Sequence, residues 1–250
     1  ESCYNMPSDC ICGCGEECDG LNCVYRLCDG LECGIDDCGT VCGLCTPGMK
    51  CEAGGCVEAP AVMTVATGVD HSCELLGDGR VRCWGSNYYG QHGDWKRMDK
   101  RSPGGFAVGL WGAIELVAGA NFTCALKADG TVWCWGQGYL GQLGGGGDKE
   151  RDVPSLVGSL SGVEGIAAGE AHVCAVRVDS TLWCWGDNSW GQLGDGTDTV
   201  RFEPVLVSGL AGVVEVTAGR SHTCARLVDG TVWCWGYNYS GQLGNGSTVW

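Results

Sequence analysis

The sequence predicts an all-β fold: a partial β-propeller of four blades, the last one incomplete, preceded by a small, irregular, disulfide-rich module. Two observations predict it. In residues 59–250, cysteine pairs and Trp-Gly dipeptides recur at intervals of 50 or 51 residues, and such a period is typical of repeat architectures. In residues 1–58, which hold 13 of the 21 cysteines, the apolar residues follow no period.

The N-terminal module, residues 1–58, is expected to be held together by disulfides. It carries 11 acidic residues against Arg26 and Lys50, and its few apolar residues are scattered among Cys and Gly. A segment that cannot bury a core needs covalent cross-links. Because 13 is odd, we expect at least one cysteine between Cys3 and Cys56 to be available for joining chains.

Cysteine usage, 21 of 250 residues, indicates an oxidising compartment, so we expect a secreted or cell-surface protein. The chain begins at Glu1 without a signal-peptide pattern, and we interpret Glu1 as a processed terminus. No apolar run approaches the ~18 residues of a membrane helix. The net charge of −15 disfavours nucleic acid and anionic lipid as partners.

Within each repeat the pattern predicts short antiparallel strands. In the last repeat, residues 213–219 form a β-branched run, and residues 223–227 and 231–235 alternate around the hairpin signal Asp229-Gly230. Pro204–Val207 supplies an outer strand. Four short strands per repeat are typical of a propeller blade. The blades are expected at approximately 61–110, 111–160, 161–210 and 211–250.

Each repeat carries two cysteines ten residues apart. A three-residue turn places such a pair directly opposite in a non-hydrogen-bonded position, where Cα atoms approach to roughly 4.5 Å, near the lower end of the disulfide range. The alternative is that all eight are reduced core thiols. The spacing predicts four cross-strand disulfides: Cys73–Cys83, Cys124–Cys134, Cys174–Cys184 and Cys224–Cys234.

The run GRSHTCARLVDGTVWCWG at residues 219–236, followed by Asn238 and Gly241-Gln242-Leu243-Gly244, resembles the regulator-of-chromosome-condensation repeat. The form with a cysteine in each hairpin strand resembles secreted bacterial members, some of which inhibit enzymes by loop contacts on one propeller face. Residues 33–56 resemble Cys-rich modules of exported bacterial proteins. The nucleotide exchange known in nuclear relatives is not expected, since these disulfides would not persist in that compartment.

The resemblance implies a propeller that usually closes with seven blades, whereas this sequence has four, and the fourth stops at Trp250 before its counterpart of Pro204–Val207. Three interpretations stay open: a longer chain, a neighbouring copy that completes the sheet, or an unusually small propeller. The second predicts oligomers or filaments, because head-to-tail contacts that do not close generate filaments and a missing strand invites strand addition.

No convergent set of acid, base or metal ligands is recognisable, so we expect no catalytic residues, no cofactor and no metal site. The histidines 71, 172 and 222 share one repeat position, where the second repeat has Phe122, and His92 replaces the Leu of the Gly-Gln-Leu-Gly turn. A position that accepts Phe is expected to serve packing.

Two features depart from the repeat pattern and are candidates for binding. A loop in the first blade could dock an acidic partner, including the N-terminal module of another subunit; the alternative is an ordinary solvated loop. Trp190, Trp95 and Trp111 lie outside the repeat consensus and are candidates for carbohydrate stacking, whereas the other tryptophans are expected to pack between blades. The candidate loop contains Trp95, Lys96, Arg97, Lys100 and Arg101.

Taken together, the sequence predicts a secreted or cell-surface structural or interaction protein rather than an enzyme. Its expected partners are proteins, including identical subunits, which it would join through the propeller ends and the N-terminal module. The alternative is a soluble extracellular binding module, either inhibitor-like or carbohydrate-binding.

Overall fold

The computed structural model describes residues 49–52, 55–58, 61–147, 149–158 and 160–249. The chain divides into two compact units, residues 1–61 and 62–250. In the first unit, β1 (Met49–Glu52) and β2 (Gly55–Glu58) pair as an antiparallel hairpin. The predicted disulfides and the odd cysteine of residues 3–56 lie outside the side chains that the structure describes. No helix within the described ranges is long and apolar enough to cross a membrane.

The second unit consists of four antiparallel sheets, one for each repeat, in which spatial order follows chain order. We call these sheets blades 1 to 4. The fold class predicted from the sequence is confirmed. The strands are β3 (Val62–Thr67), β4 (His71–Leu76) and β5 (Val81–Gly85) in blade 1; β6 (Ala113–Ala118), β7 (Phe122–Lys127), β8 (Val132–Gly136) and β9 (Arg151–Leu156) in blade 2; β10 (Val163–Ala168), β11 (His172–Arg177), β12 (Leu182–Gly186) and β13 (Arg201–Leu206) in blade 3; and β14 (Val213–Ala218), β15 (His222–Leu227) and β16 (Val232–Gly236) in blade 4.

The central hairpin of each blade closes through a short turn whose chemistry the sequence specifies. In blade 2 the N–H of Lys127 donates to the carbonyl of Thr131 at 2.9 Å, and Asp129 accepts from both the N–H and the hydroxyl of Thr131. Gly130 has φ +76°, a left-handed conformation that glycine adopts without steric cost. This turn sets the register that brings the two middle strands of a blade into direct opposition.

Blade 1 differs from the expectation that the first three blades each contain four strands. Its outer strand is reduced to two isolated bridges, Arg82 with Phe106 and Gly85 with Lys100. In the loop that precedes the Lys100 bridge, Asp99 accepts from the N–H of Asn87 at 2.8 Å. Blade 4 has three strands, as expected.

The hydrophobic core of the second unit lies between consecutive blades. One buried cluster joins blades 1 and 2 and includes Leu75, Leu116 and Trp135. A second joins blades 2 and 3 around Phe122 and Trp185, and a third joins blades 3 and 4. Each blade therefore owes its stability to its neighbours, as repeat architectures do.

Candidate functional site

The eight cysteines of the second unit form four cross-strand disulfides, one in the central hairpin of each blade. The Sγ atoms lie 2.07 to 2.12 Å apart and the paired Cα atoms 4.1 Å apart. The cysteines of blades 1 to 3 are fully buried, whereas Cys224 and Cys234 are half-buried. Each bridge fixes the central hairpin of its own blade. The accessible surface is formed by the loops at the strand ends.

The inner strands of the four blades end around one open depression of about 580 Å³. A series of main-chain hydrogen bonds ties these ends together from blade to blade. The N–H of Val69 donates to the carbonyl of Ala120 at 3.1 Å, the N–H of Ala120 to that of Glu170 at 2.9 Å, and the N–H of Glu170 to that of Arg220 at 3.0 Å. These bonds use main-chain atoms alone, and the side chains of Glu170 and Arg220 add an ion pair beside them.

The loops that follow the third strand of each blade, residues 86–92, 137–143, 187–193 and 237–243, border the same surface. We call the depression and these loops together the loop face. A Gln side chain holds each loop from within, and an Asn does so in all but the blade 2 loop, where Gly138 takes its place. In blade 3, Asn188 accepts from the N–H of Leu193 at 2.9 Å, and Gln192 accepts from the N–H of Trp190 at 2.9 Å. The remaining loop residues project from a fixed backbone, and Tyr88, Tyr139 and Tyr239 are exposed.

Two histidines are buried beneath this face at the boundaries between blades. His71 Nε2 lies 3.0 Å from Thr123 Oγ1, and the Thr123 hydroxyl donates to the Gln91 carbonyl at 3.0 Å. Because the hydroxyl proton is used in this way, the histidine must donate from Nε2. We call this arrangement the His–Thr latch. It recurs between blades 3 and 4 with His172, Thr223 and Gln192.

Burial lowers the pKa of both latch histidines to about 4, so they are neutral at physiological pH. The boundary between blades 2 and 3 has no latch, because Phe122 and Val173 stand at the corresponding positions and both are fully buried. These histidines thus lie inside blade boundaries, away from the loop surface. His92 is also fully buried, and burial lowers its pKa.

The loop that was a candidate for interaction from the sequence is held in place by ion pairs of two of its own cations. Arg97 forms ion pairs with Glu150 and with Asp152 of blade 2, and Lys100 pairs with Asp94. Two of the four cations of the loop, Arg97 and Lys100, are therefore engaged in ion pairs within the protein. Lys96 and Arg101 are exposed and form no ion pair with the residues that the structure describes.

The aromatic residues of this loop and of the next connection are accessible. Trp95 is 67% exposed and has φ +67°, a left-handed conformation that is uncommon outside glycine. Trp111, between blades 1 and 2, is 63% exposed. Neither residue lies in the loops of the loop face. In this respect both differ from the third tryptophan that departs from the repeat consensus.

That third tryptophan, Trp190, lines a groove of about 470 Å³ between blades 3 and 4 on the loop face. Its ring lies 4.9 Å from that of Tyr237 and 5.5 Å from that of Tyr239, both edge-to-face. Sequence reasoning missed the two tyrosines because they belong to the next blade; their repeat positions, beside the Gly-Gln-Leu-Gly turn, were the available signal. We call this the 3/4 groove.

The polar lining of the 3/4 groove comes from both blades. Glu170 of blade 3 forms an ion pair with Arg220 of blade 4, while Asp187 accepts from the Gln192 amide at 2.8 Å. Throughout the described ranges, no group of three or more His, Cys, Asp and Glu side chains could hold a metal ion. The groove is thus equipped for recognition through hydrogen bonds and aromatic contacts.

Comparison with known families identifies the repeats. A model of the regulator of chromosome condensation (RCC1) repeat matches residues 129–176 and 179–226. A second model of the same repeat matches residues 64–91, 113–142, 163–192 and 213–242. Together these matches cover more than half of the chain.

Curated relatives share part of this region. The probable E3 ubiquitin-protein ligase HERC4 of Rattus norvegicus is 34% identical over 101 residues, which is 40% of this chain and 10% of that protein. The RCC2 homolog of Xenopus laevis is 37% identical over 107 residues, 40% of this chain and 20% of that protein. The matched segment therefore spans at most a fifth of the length of these relatives.

Solved structures show the same fold. Human WBSCR16 superposes with a TM-score of 0.68 at 25% identity, over 79% of this chain and 54% of that one. Prp20p of Saccharomyces cerevisiae gives 0.65 at 22% identity, over 86% and 55%. Four blades with the RCC1 pattern, matched in sequence and in fold, assign this chain to the family of RCC1 repeat proteins.

Proposed function

We propose that this protein is an extracellular interaction protein whose loop face binds a partner protein. The observation that carries the proposal is an exposed tyrosine in the third-strand loops of three blades, Tyr88, Tyr139 and Tyr239, on backbone that a Gln side chain holds from within in each loop. Rigid exposed aromatic residues are enriched in protein-binding hot spots. RCC1-like propellers are typically interaction domains, and the yeast relative Prp20p has binding properties toward Gsp1p and histones.

The extracellular part of the proposal is supported by the disulfides. Six of the eight cysteines are fully buried at blade boundaries, so the bonds are part of the packed structure. Disulfides of this kind persist in oxidising compartments. The expected result is that the native protein fractionates outside the cytoplasm with all four bonds formed, as peptide mapping without reduction would show. Recovery from the cytoplasm with free thiols would contradict it.

The binding part is tested by affinity capture from the extracellular and envelope fraction, using the whole 250-residue chain. A variant with Tyr88, Tyr139 and Tyr239 changed to Ser should lose the proteins that the wild type captures. The matched control changes Val178 and Val228 to Ser, since these are also exposed but belong to the hairpin turns at the other ends of the strands. Equal capture by both variants would contradict binding through the loop face.

We do not extend the ligase activity of HERC4 to this chain, because the match covers 10% of that protein. RCC1-type repeats are mainly binding or regulatory modules, and the residues described here fit that role. The Glu150–Arg97 and Glu170–Arg220 pairs connect neighbouring blades, so these carboxylates already have structural partners.

We also infer self-assembly as a second candidate function, from one side chain on the inner strand of blade 1. Val65 is 62% exposed, whereas its repeat counterparts Leu116 and Ile166 are each 5% exposed because the preceding blade covers them. An equivalent blade from a second copy of the chain would cover Val65 in the same way. Such a head-to-tail contact would produce rings or filaments.

Substitution on this strand tests the second candidate by light scattering over a range of protein concentrations. Val65→Lys should abolish association. Met63→Lys is the matched control, because Met63 is 68% exposed and its counterparts Ile114 and Val214 are exposed as well. A wild-type protein that remains monomeric at all concentrations would overturn self-assembly and leave partner binding by the loop face standing.

A further inference from the structure

The 3/4 groove differs in composition from the equivalent places at the other blade boundaries. Its Glu170 and Arg220 occupy the repeat position of Val69 and Ala120, and its Asp187 and Tyr237 occupy that of Ser86 and Gln137. The surrounding backbone is the same in every blade, since main-chain hydrogen bonds hold these loop positions. The boundary between blades 1 and 2 also has aromatic contacts at the equivalent loop positions, through Tyr88, Tyr89 and Tyr139. The combination of such rings with Glu170, Arg220 and Asp187 is found at the 3/4 groove, which indicates a role beyond holding blades together.

Both carboxylates of the groove are oriented by hydrogen bonds, and the charge of one of them, Glu170, is offset by Arg220. Asp187 accepts from the Gln192 amide at 2.8 Å and from the Ser189 hydroxyl at 2.6 Å. Glu170 accepts two hydrogen bonds from Arg220. An anionic ligand would find the Arg220 guanidinium already engaged by Glu170. A neutral ligand rich in hydroxyl groups would instead meet fixed acceptors and donors with spare hydrogen-bonding capacity.

The aromatic part of the groove supplies a rigid apolar surface. Trp190, Tyr237 and Tyr239 pack edge-to-face with ring centroids 4.9 to 5.5 Å apart, and each ring limits the movement of the other two. Trp190 and Tyr237 are half-buried and line the groove. Its volume of about 470 Å³ falls within the range of small-molecule sites, roughly 300–1,000 Å³.

A sugar ring has an apolar face of C–H groups and a belt of hydroxyls, the two chemistries that the groove offers side by side. We propose that the 3/4 groove binds a neutral oligosaccharide. Trp190 and Tyr237 contact the apolar face of one sugar ring, and Asp187, Glu170 and Arg220 exchange hydrogen bonds with its hydroxyl groups. This goes beyond the proposed function, because it gives the loop face a glycan ligand in addition to a protein partner.

The test is isothermal titration calorimetry of the whole chain with neutral hexasaccharides of glucose, N-acetylglucosamine, xylose and galactose, and with hexalysine as a cationic probe. At least one saccharide should bind and hexalysine should not. Trp190→Ala should weaken that binding at least about tenfold, as loss of a central aromatic contact does. Trp111→Ala is the matched control: it removes an exposed tryptophan outside the groove and should leave binding unchanged.

Since Trp190 also packs against two tyrosines, a second variant separates binding from folding. The Arg220 side chain is 82% exposed, so Arg220→Met should fold normally and still weaken saccharide binding several-fold through loss of a hydrogen bond. Absence of binding to every saccharide at millimolar concentration would overturn the proposal. So would hexalysine binding without saccharide binding, or wild-type affinity in both groove variants. None of these results would affect protein capture by the tyrosine loops.

Discussion

The boundary between blades 1 and 2 and that between blades 2 and 3 solve the same packing problem by different means. In the first, His71 donates to Thr123, which donates to the Gln91 carbonyl. In the second, Phe122 and Val173 fill the corresponding space and are fully buried. The boundary between blades 3 and 4 returns to the polar arrangement with His172 and Thr223.

At these three boundaries the two positions differ together: His is paired with Thr at two of them and Phe with Val at the third. A buried histidine without its hydroxyl would leave a polar group unsatisfied, at about 1–3 kcal/mol, whereas an apolar pair of similar shape has no such requirement. Both solutions are compatible with the same backbone, because the main-chain connection beside them is identical. The predictions below test whether the polar and apolar boundaries differ in the way this comparison requires.

Acidification should produce the largest effect and should act on the latched boundaries. The unfolded histidines take up protons below their ordinary pKa of 6.5, while His71 and His172 stay neutral in the folded state down to about pH 4. Stability is therefore complete above pH 6.5 and is lost as the pH falls toward 4. By pH 5 the loss is about 2 kcal/mol for each histidine, measurable by urea denaturation at pH 7 and pH 5.

A control converts one latch into the apolar arrangement. The double variant His71→Phe with Thr123→Val should lose the His71 share of the pH dependence between 6.5 and 5 and keep that of His172 and of the buried His92. If it keeps the full dependence, the titrating groups lie elsewhere and the comparison of boundaries fails.

Removal of a disulfide should have the next largest effect and should be equal at the two kinds of boundary. Each bond closes a loop of ten residues, worth about 3 kcal/mol in the unfolded chain. Replacing Cys73 and Cys83 by Ala should thus cost as much as replacing Cys124 and Cys134, as judged by thermal unfolding. A clearly larger cost in blade 1 would show that the sulfur beside Thr123, 3.7 Å from its hydroxyl oxygen, contributes to the latch.

Single substitution of the latch should cost less. Thr123→Val leaves the His71 Nε2 donor buried without a partner, so the free energy of unfolding should fall by about 2 kcal/mol. Adding His71→Phe should restore much of that loss, and the double-mutant cycle should show strong coupling. Independent, additive effects would mean that the histidine and the threonine do not act as a unit.

The smallest effect is expected at the outer edge of the first boundary. Arg97 joins blade 1 to Glu150 and Asp152 of blade 2, but its side chain is 44% exposed, and solvent screens such pairs. Arg97→Ala should lower the free energy of unfolding by less than about 1 kcal/mol and should lose its effect in high salt. A larger loss of stability that does not depend on salt would show that the loop contributes substantially to the packing of blade 1 against blade 2.

The repeat pattern was sufficient to predict the blades and the position of their central hairpins, because strand alternation and turn residues are local in sequence. It could not predict the latch, since Thr123 lies 52 residues from His71 and each residue by itself resembles ordinary packing. The signal was present: Thr follows His71 and His172 one repeat later, whereas Val173 follows Phe122. Pairwise reading of neighbouring repeats would have found it.

The same limitation applies to the candidate binding residues. Trp190 was recognisable because it departs from the repeat consensus, but the rings beside it come from the next blade. The Arg97 and Lys100 cations were candidates for docking an acidic partner. Their ion-pair partners, Glu150 of blade 2 and Asp94 of the same loop, became evident only in the folded structure. Which charges remain available is a property of the tertiary structure.

The main-chain hydrogen bonds that join Val69, Ala120, Glu170 and Arg220 have a consequence for how such a surface can change. Because the connection uses no side chains, these four positions already differ among blades in size, charge and polarity without altering the backbone. The binding specificity of this surface can therefore change through single substitutions, with little loss of folding stability. A combinatorial library at positions 69, 120, 170 and 220 should accordingly yield a high proportion of folded proteins from which new binders can be selected.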